Sequence, residues 1–203
     1  QALFVARRIL ELRDEGIPLE RMAVLYRAHF HALEVQLELT RHNIPFSITS
    51  GMRFFEQAHI KDVAAHLRLI HNPRDELAFK RVVRLLPGVG GKTADRLWKR
   101  FAEVVDPPAV AVAHALQSCS DRGVPRKTAT AWAQLTATLA QLDDPRLRDS
   151  PAQAMQLLLE AVYQEVLESK YANHRSRLED VQQLIIFARR FTTTGDFLAQ
   201  LAL

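Results

Sequence analysis

Gly91, Lys92 and Thr93 stand side by side, and these residue types end a phosphate-binding P-loop. The P-loop pattern also requires a glycine five positions before Gly91, because the loop begins its wrap around the phosphates there. Leu86 occupies that position, and Pro87 follows it. The residues before them have helical spacing with charges on one side, not the apolar run of a strand. The spacing therefore argues against a nucleotide-binding loop.

The same stretch fits a second kind of phosphate site, a glycine turn between two helices. Residues 87–90 (PGVG) lie between two segments of helical period, and Gly88 and Gly90 allow positive φ in a tight connection. The following helix, predicted from about Lys92, begins with free N–H groups and the positive end of its dipole, which favour an anion. The alternative is an ordinary helix–helix turn. Gly88, Gly90 and Lys92 are the candidate phosphate-binding residues of this turn, and further cations follow at Arg96, Lys99 and Arg100.

This turn resembles the helix-hairpin-helix DNA-binding motif, and it also admits a catalytic interpretation. In glycosylases of the helix-hairpin-helix type the hairpin lysine attacks the sugar, and Lys92 occupies that place. Such an enzyme needs a downstream carboxylate to activate the attack. Asp106 is the nearest candidate, but Pro107 and Pro108 follow it and no iron–sulfur cysteine cluster is present. The sequence favours binding over catalysis, and we predict no catalytic residue in this chain.

The composition is that of a globular chain with a mildly basic charge. Its 203 residues are 48% hydrophobic, enough for one large or two small domains. Lysine and arginine number 27 against 23 acidic residues, a net charge of +4 that is compatible with phosphate contact without establishing it. Cys119 stands alone and no set of cysteines and histidines has zinc spacing, so we predict no metal site. With no apolar run of membrane-spanning length, we expect a cytoplasmic protein without a membrane partner.

The chain has two parts with different patterns. Residues 1–50 alternate helix and strand, and the predicted strands are the short runs MAVLYR (22–27) and PFSITS (45–50). This order predicts a small α/β piece, part of a parallel sheet. An all-helical domain containing the helix-hairpin-helix-like motif follows, so the predicted fold is mainly α. Its predicted helices are 58–71, 75–86, 92–104, 108–118, 126–142, 151–169, 174–192 and 196–202.

Three stretches in order resemble one family of proteins. They are MAVLYRAHFHALEVQLELTRHNIPFSI (22–48), SGMRFFEQAHIKDVAAHLRLIHNPRDELAFKRVV (50–83) and LLPGVGGKTADRL (85–97). Together they resemble the second half of a superfamily 1A DNA helicase of the UvrD/Rep/PcrA type, whose sequences contain a long F-F-E-x-x-E-I-K-D motif and a G-I-G hairpin. The tail HRSRLEDVQQLIIFARRF (174–191) is similar to that family's R-x-E-N-x-x-E-L helix.

The resemblance implies a domain organisation and a parent activity. Residues 1–50 would belong to the second motor domain (2A), residues 51–195 to its helical insertion (2B), and residues 196–203 to the return towards 2A. The parent would be an ATP-dependent helicase that uses ATP and Mg²⁺ and moves 3′ to 5′ on single-stranded DNA. Because the chain lacks the family's ATP motifs and opens at Gln1 inside a predicted helix, we expect an inactive, cofactor-free piece of a longer protein.

The resemblance also implies roles for individual residues. Gly88, Val89, Gly90 and Thr93 match the family's hairpin, which would hold duplex DNA ahead of the fork by its phosphates. Contacts to phosphates make such a grip independent of base sequence. Lys61, in HIKD, matches a family lysine near the same duplex backbone. Arg27 and His29 lie where the family places an arginine and an asparagine facing the single strand, although a histidine stands at the second position here. The implied partners are double-stranded and single-stranded DNA, with repair or replication proteins as further candidates.

Three nearby residues are interpreted as structural. We expect Phe54 and Phe55 to pack in a core or at a hinge, not to stack on DNA, and Arg68 to form an internal ion pair. A helical protein-interaction module is the remaining alternative for the whole chain, because 2B in this family is a mobile, autoinhibitory element that partners can use.

Overall fold

The chain divides into two compact units, which are considered separately. In the computed structural model the described residues are 1–27, 31–48, 54–105, 111–120 and 123–201, without the side chain of His31. The first unit is Gln1–Gln57, and the second begins at Ala58.

The first unit is built on two helices, α1 (Ala2–Asp14) and α2 (His31–Arg41). Short 3₁₀ turns at Leu19–Arg21 and Phe54–Glu56 complete its regular structure among the described residues. Apolar side chains spaced three to four positions apart on α1 and α2 face each other and form its core. The core comprises Ala6, Leu39 and Ile44, with Ile9, Leu10, Leu19, Val35 and Phe46 packed against them.

The predicted α/β piece is wrong, because none of the described residues forms a β-strand. Both predicted strand segments, 22–27 and the described part of 45–50, lack regular secondary structure. Met22 has the extended dihedral angles of a strand, φ −104° and ψ 138°, but a strand also needs a neighbouring backbone to accept its hydrogen bonds. Leu25 is 93% exposed, not packed on a sheet face. The apolar pattern therefore predicted a strand where the described residues provide no pairing partner.

In the second unit all regular structure among the described residues is helical, and each predicted range contains a helix. Its helices are α3 (Ala58–His71), α4 (Glu76–Val83), α5 (Gly91–Val105), α6 (Val112–Ser120), α7 (Ala129–Leu142), α8 (Pro145–Arg148), α9 (Pro151–Leu158), α10 (Gln164–Lys170), α11 (His174–Ala188) and α12 (Thr194–Leu201). A π-helical turn, Leu159–Tyr163, joins α9 to α10, and a 3₁₀ turn, Arg126–Thr128, leads into α7.

Helix α3 is the centre of this unit and packs against α4, α9, α11 and α12. A buried polar network fixes it in place. The carboxylate of Asp62 on α3 accepts hydrogen bonds from Arg81 of α4 at 2.7 Å and from the hydroxyl of Tyr163 at 3.0 Å. One turn earlier, His59 pairs with Asp180 of α11 at 3.2 Å. The histidine, the tyrosine and both carboxylates are buried and satisfy one another. The bond from the half-buried Arg81 sets how α4 lies on α3.

Candidate nucleic-acid interface

The candidate site lies between α4 and α5. Helix α4 begins at Asp75, whose carboxylate accepts the N–H of Ala78 at 2.9 Å and caps the helix. After Val83 the chain tightens, and the N–H of Leu86 bonds to the carbonyl of Val83 at 3.2 Å. The connection that follows, residues 87–90, is called the glycine hairpin below.

Aromatic packing holds the two helices of the motif together. The ring of Phe79 on α4 lies 4.6 Å from that of Phe101 and 5.3 Å from that of Trp98, both on α5. Phe101 is fully buried with Ala94 and Leu97, since helical spacing places all three on one face of α5. The sequence periodicity of α5 therefore determines which of its faces is left for solvent.

Gly88 and Gly90 have different roles in the glycine hairpin. Gly88 has φ +79°, a left-handed conformation that strains other residue types, and the side chain of the adjacent Val89 is buried. Gly90 lies outside the left-handed region, so of the two glycines that allow positive φ only Gly88 uses it. A Cβ built on Gly90 would meet no atom within 4 Å. Gly90 is therefore an open position on the surface, whereas Gly88 makes the turn.

The main-chain N–H groups of the glycine hairpin and of the first turn of α5, together called the helix-hairpin-helix corner, are largely free. Ala94 makes the first hydrogen bond of α5, from its N–H to the carbonyl of Gly90 at 2.9 Å. Within the described chain no acceptor bonds the N–H groups that come before it, those of Gly88, Gly90, Gly91, Lys92 and Thr93. The three glycines are exposed, so these donors are open to solvent at the positive end of the helix. This arrangement can bind an anion such as a phosphate.

The cations predicted to surround the corner point in different directions. Lys92 is exposed in the first turn of α5. Asp95, the acid of the same turn, is paired with Lys80 of α4 at 2.6 Å. Arg96 donates to the carbonyl of Gly123 at 3.3 Å, whereas Lys99 lines a surface cavity of about 420 Å³ further along the helix. Arg100 also lies beside Gly123, where its Nη1 atom would be 3.3 Å from an added Cβ. Lys92 is the predicted cation that lies next to the glycine hairpin in the chain.

The other predicted DNA contacts lie elsewhere in the chain. Lys61 is exposed on α3, directly before the buried Asp62 that anchors α4. Arg27 is exposed and is the last residue of 22–27, the first of the two segments predicted to be strands. His29 lies outside the described residues, as does Asp106, the carboxylate considered for a glycosylase.

The residues interpreted as structural are found in structural contacts. Arg68 forms an ion pair with Asp75 at 2.6 Å and so supports the residue that caps α4. Phe54 is 1% exposed, and its ring meets that of Phe55 edge to face at 5.5 Å. The ion pair agrees with the interpretation of Arg68, and the burial of Phe54 agrees with a packing role for that ring.

Residues 123–128 also belong to the site, although the sequence patterns did not indicate them. The buried hydroxyl of Thr128 donates to the carbonyl of Pro87 at 2.8 Å. The side chain of Lys127 lies over Gly88, so that a Cβ added there would come within 2.1 Å of the Lys127 Cε atom. The only sequence signal for this contact is the basic run RGVPRKT, which is too common on protein surfaces to select these residues.

Two kinds of site are absent from the described ranges. No group of three or more histidine, cysteine or acidic residues is arranged to hold a metal ion. No helix has the length and apolar character needed to cross a bilayer.

Fold and site together define a helical domain with a helix-hairpin-helix corner whose amides are free. Residues 1–107, just over half of the chain, match the UvrD-like helicase C-terminal domain, and the chain belongs to that family. The resemblance drawn from the sequence motifs is confirmed.

Three relatives are similar over nearly the whole chain. It is 31% identical to DNA helicase II of Haemophilus influenzae over 94% of its length and to DNA helicase II of Escherichia coli over 95%. It is 27% identical to the ATP-dependent DNA helicase PcrA of Bacillus subtilis over 98% of its length. These matches cover 26%, 27% and 28% of the relatives, so the chain spans about a quarter of the length of the curated proteins it matches.

Proposed function

We propose that this chain is a DNA-binding regulatory part of an ATP-dependent 3′–5′ DNA helicase, and that it grips duplex DNA ahead of the fork. The gripping residues are Gly88, Val89, Gly90, Lys92 and Thr93. The observation that carries the proposal is the exposed corner at the start of α5. Its main-chain N–H groups of Gly88, Gly90, Gly91, Lys92 and Thr93 have no acceptor within the described chain. Membership of the helicase family supports DNA as the source of the phosphate.

The chemistry of the corner favours a grip without sequence preference. Main-chain N–H groups meet phosphate oxygens, which are the same at every base pair. The bare surface at Gly90 lets a sugar–phosphate backbone approach closely, since no side chain stands in front of the amides. A motor that moves along DNA needs contacts of this kind, because it must hold every sequence equally well.

ATP hydrolysis belongs to other parts of the proposed parent. The relatives are named as DNA helicases, one of them as ATP-dependent, which supports ATP and Mg²⁺ as cofactors of the whole protein. The residues present here do not fit ATP. Leu86 stands at the first glycine position of a P-loop, and its carbonyl accepts the N–H of Val89 at 3.3 Å, so a tight turn replaces a phosphate-wrapping loop. We expect the isolated chain neither to hydrolyse ATP nor to unwind DNA.

Further contacts and the domain assignment are part of the same proposal. Residues 1–50 are assigned to the second motor domain, residues 51–195 to the helical insertion and residues 196–203 to the return. Lys61 would add a charge contact to the duplex backbone, and its exposure on α3 supports this role. Arg27 and His29 would face the single strand.

The test is duplex binding by the 203-residue chain, measured by fluorescence anisotropy with a labelled duplex. We expect a Kd on the order of 10⁻⁴ to 10⁻⁶ M, because one hairpin and a few lysines neutralise only about 2–4 phosphates. Gly90→Val should abolish this binding by blocking the approach to the amides, while circular dichroism shows an intact helical fold. Ala137→Val, at an exposed position in the middle of α7, is the control for adding a β-branched side chain and should bind as the unmodified chain does.

Two outcomes would contradict the proposal. One is duplex affinity that Gly90→Val leaves unchanged. The other is a covalent adduct between Lys92 and damaged duplex, trapped by borohydride, since that product would indicate a glycosylase or lyase.

A further inference from the structure

The side chain of Lys127 fills the space above Gly88. A Cβ built on Gly88 would lie 2.1 Å from Cε, 2.9 Å from Nζ and 3.1 Å from Cδ of Lys127. The φ of +79° at Gly88 suits no other residue type well. The flexible methylene chain of Lys127 lies where a side chain of residue 88 would stand.

The segment that carries Lys127 is fixed to the helix-hairpin-helix corner at several points. Thr128, the next residue, is buried and donates to the Pro87 carbonyl at 2.8 Å. Gly123 accepts a hydrogen bond from Arg96 of α5 at 3.3 Å. A Cβ on Gly123 would lie 2.9 Å from Leu97, so the backbone passes close against α5. These contacts keep the turn before α7 beside the glycine hairpin.

The charge of Lys127 has no neutralising partner among the residues that the structure describes. The residue is exposed, and its ammonium group forms no ion pair with any residue of the described ranges. Asp95, the acid in the first turn of α5, is occupied by Lys80 at 2.6 Å. Two separate chain segments thus bring unsatisfied donors to one place, the ammonium of Lys127 and the main-chain amides that begin α5.

We propose that Lys127 is a duplex-binding residue, whose ammonium group contacts a backbone phosphate held at the glycine hairpin. This inference rests on the proposed function of the hairpin and adds a second segment of the chain to it. A lysine acts on a phosphate as a point charge, so the contact strengthens the grip on all sequences equally. It also gives the turn before α7 a part in DNA binding that extends the site beyond the glycine hairpin.

Two substitutions at position 127 separate the effect of the side chain's charge on duplex binding from the effect of its shape. Lys127→Met keeps an unbranched chain over Gly88 and removes the charge, whereas Lys127→Arg keeps the charge. With a labelled duplex, Lys127→Met should weaken binding on the order of tenfold at low salt and reduce the slope of log K against log [salt] by about 0.9, the loss of one phosphate contact. Lys127→Arg should restore most of the affinity. Arg175→Ala removes one positive charge from an exposed position on α11 and should change binding much less.

The results distinguish failure of the Lys127 contact from failure of the glycine hairpin as a binding site. If Gly90→Val abolishes binding and Lys127→Met leaves both affinity and salt slope unchanged, the role of Lys127 is wrong and the hairpin site stands. If Gly90→Val has no effect, the hairpin site fails, and the role of Lys127 in it fails as well. Thermal melts of the Lys127 variants should match that of the unmodified chain, because the side chain is exposed.

Discussion

The hydroxyl of Thr128 donates a 2.8 Å hydrogen bond to the main-chain carbonyl of Pro87, which joins the turn before α7 to the glycine hairpin. Thr128 is buried, whereas Pro87 is exposed. The shape of the glycine hairpin therefore depends on a residue far away in the sequence as well as on its own glycines.

The first prediction concerns this bond. Thr128→Val keeps the shape of the side chain and removes the donor, so we expect the free energy of unfolding to fall by about 1 kcal/mol. Duplex affinity should fall too, because the hairpin loses a restraint. Urea denaturation and anisotropy measure the two effects. Thr136→Val is the control, since the Thr136 hydroxyl bonds only to the Trp132 carbonyl of its own helix among the described residues. Equal effects of the two substitutions would contradict the structural role of Thr128.

The second prediction is that substitutions at Gly88 and Gly90 change the free energy of unfolding by different amounts. Gly88→Ala places a Cβ in the left-handed region and against Lys127, so it should cost about 1–2 kcal/mol of the free energy of unfolding. Gly90→Ala should change it by less than about 0.5 kcal/mol, because a poorer helix cap and a less flexible unfolded chain offset each other. Thermal or urea unfolding measures both. A Gly88→Ala protein as stable as the Gly90→Ala protein would show that φ at Gly88 is not fixed in solution.

The sequence predicted the helix-hairpin-helix corner because its determinants are local. The helical period of Ala94, Leu97 and Phe101 identifies the buried face of α5, and glycines next to a proline identify the turn. Motif spacing also identified the family. The free amides follow from these features, because the first N–H groups of any helix lack partners within it.

Features that depend on distant partners were not predictable in the same way. The segment 22–27 has the composition of a strand, but pairing needs a second backbone, and no described residue provides one. The contact of Lys127 with Gly88 depends on how α7 packs, and one exposed lysine in the sequence looks like any other. Nor could the sequence tell which of the two glycines takes a positive φ, because glycine allows this conformation without requiring it, and Gly90 does not use it.

The third prediction concerns salt. If the corner binds phosphates, log K for duplex binding should fall linearly with log [salt] with a slope of about −2 to −4, as expected for about 2–4 neutralised phosphates. Anisotropy titrations between about 50 and 200 mM salt measure the slope. Two duplexes of different base sequence should give the same affinity and slope, because the donors are main-chain amides and lysines. A strong preference for one sequence, or affinity independent of salt, would contradict a phosphate grip.

The last prediction concerns pH and the buried His66 of α3. Burial lowers the pKa of the His66 imidazole, an effect larger than the opposing hydrogen bond to the Asp62 carbonyl. As the pH falls, the unfolded chain therefore binds a proton at residue 66 near pH 6.5, whereas the folded chain binds it only at lower pH. The free energy of unfolding is fully present above pH 6.5 and decreases as the pH falls below it. For one proton the loss cannot exceed about 1.4 kcal/mol per pH unit.

Urea denaturation between pH 5 and 8 tests this expectation. His66→Phe keeps a ring beside Tyr163, whose centroid lies 6.1 Å from that of His66, and removes the titrating group. The variant should therefore lose part of the decline in stability that the unmodified chain shows below pH 6.5. His114→Ala, at an exposed position on α6, should keep that decline, because it leaves the buried His66 in place. If His66→Phe declines as steeply as His114→Ala, burial of His66 is not a source of the acid sensitivity.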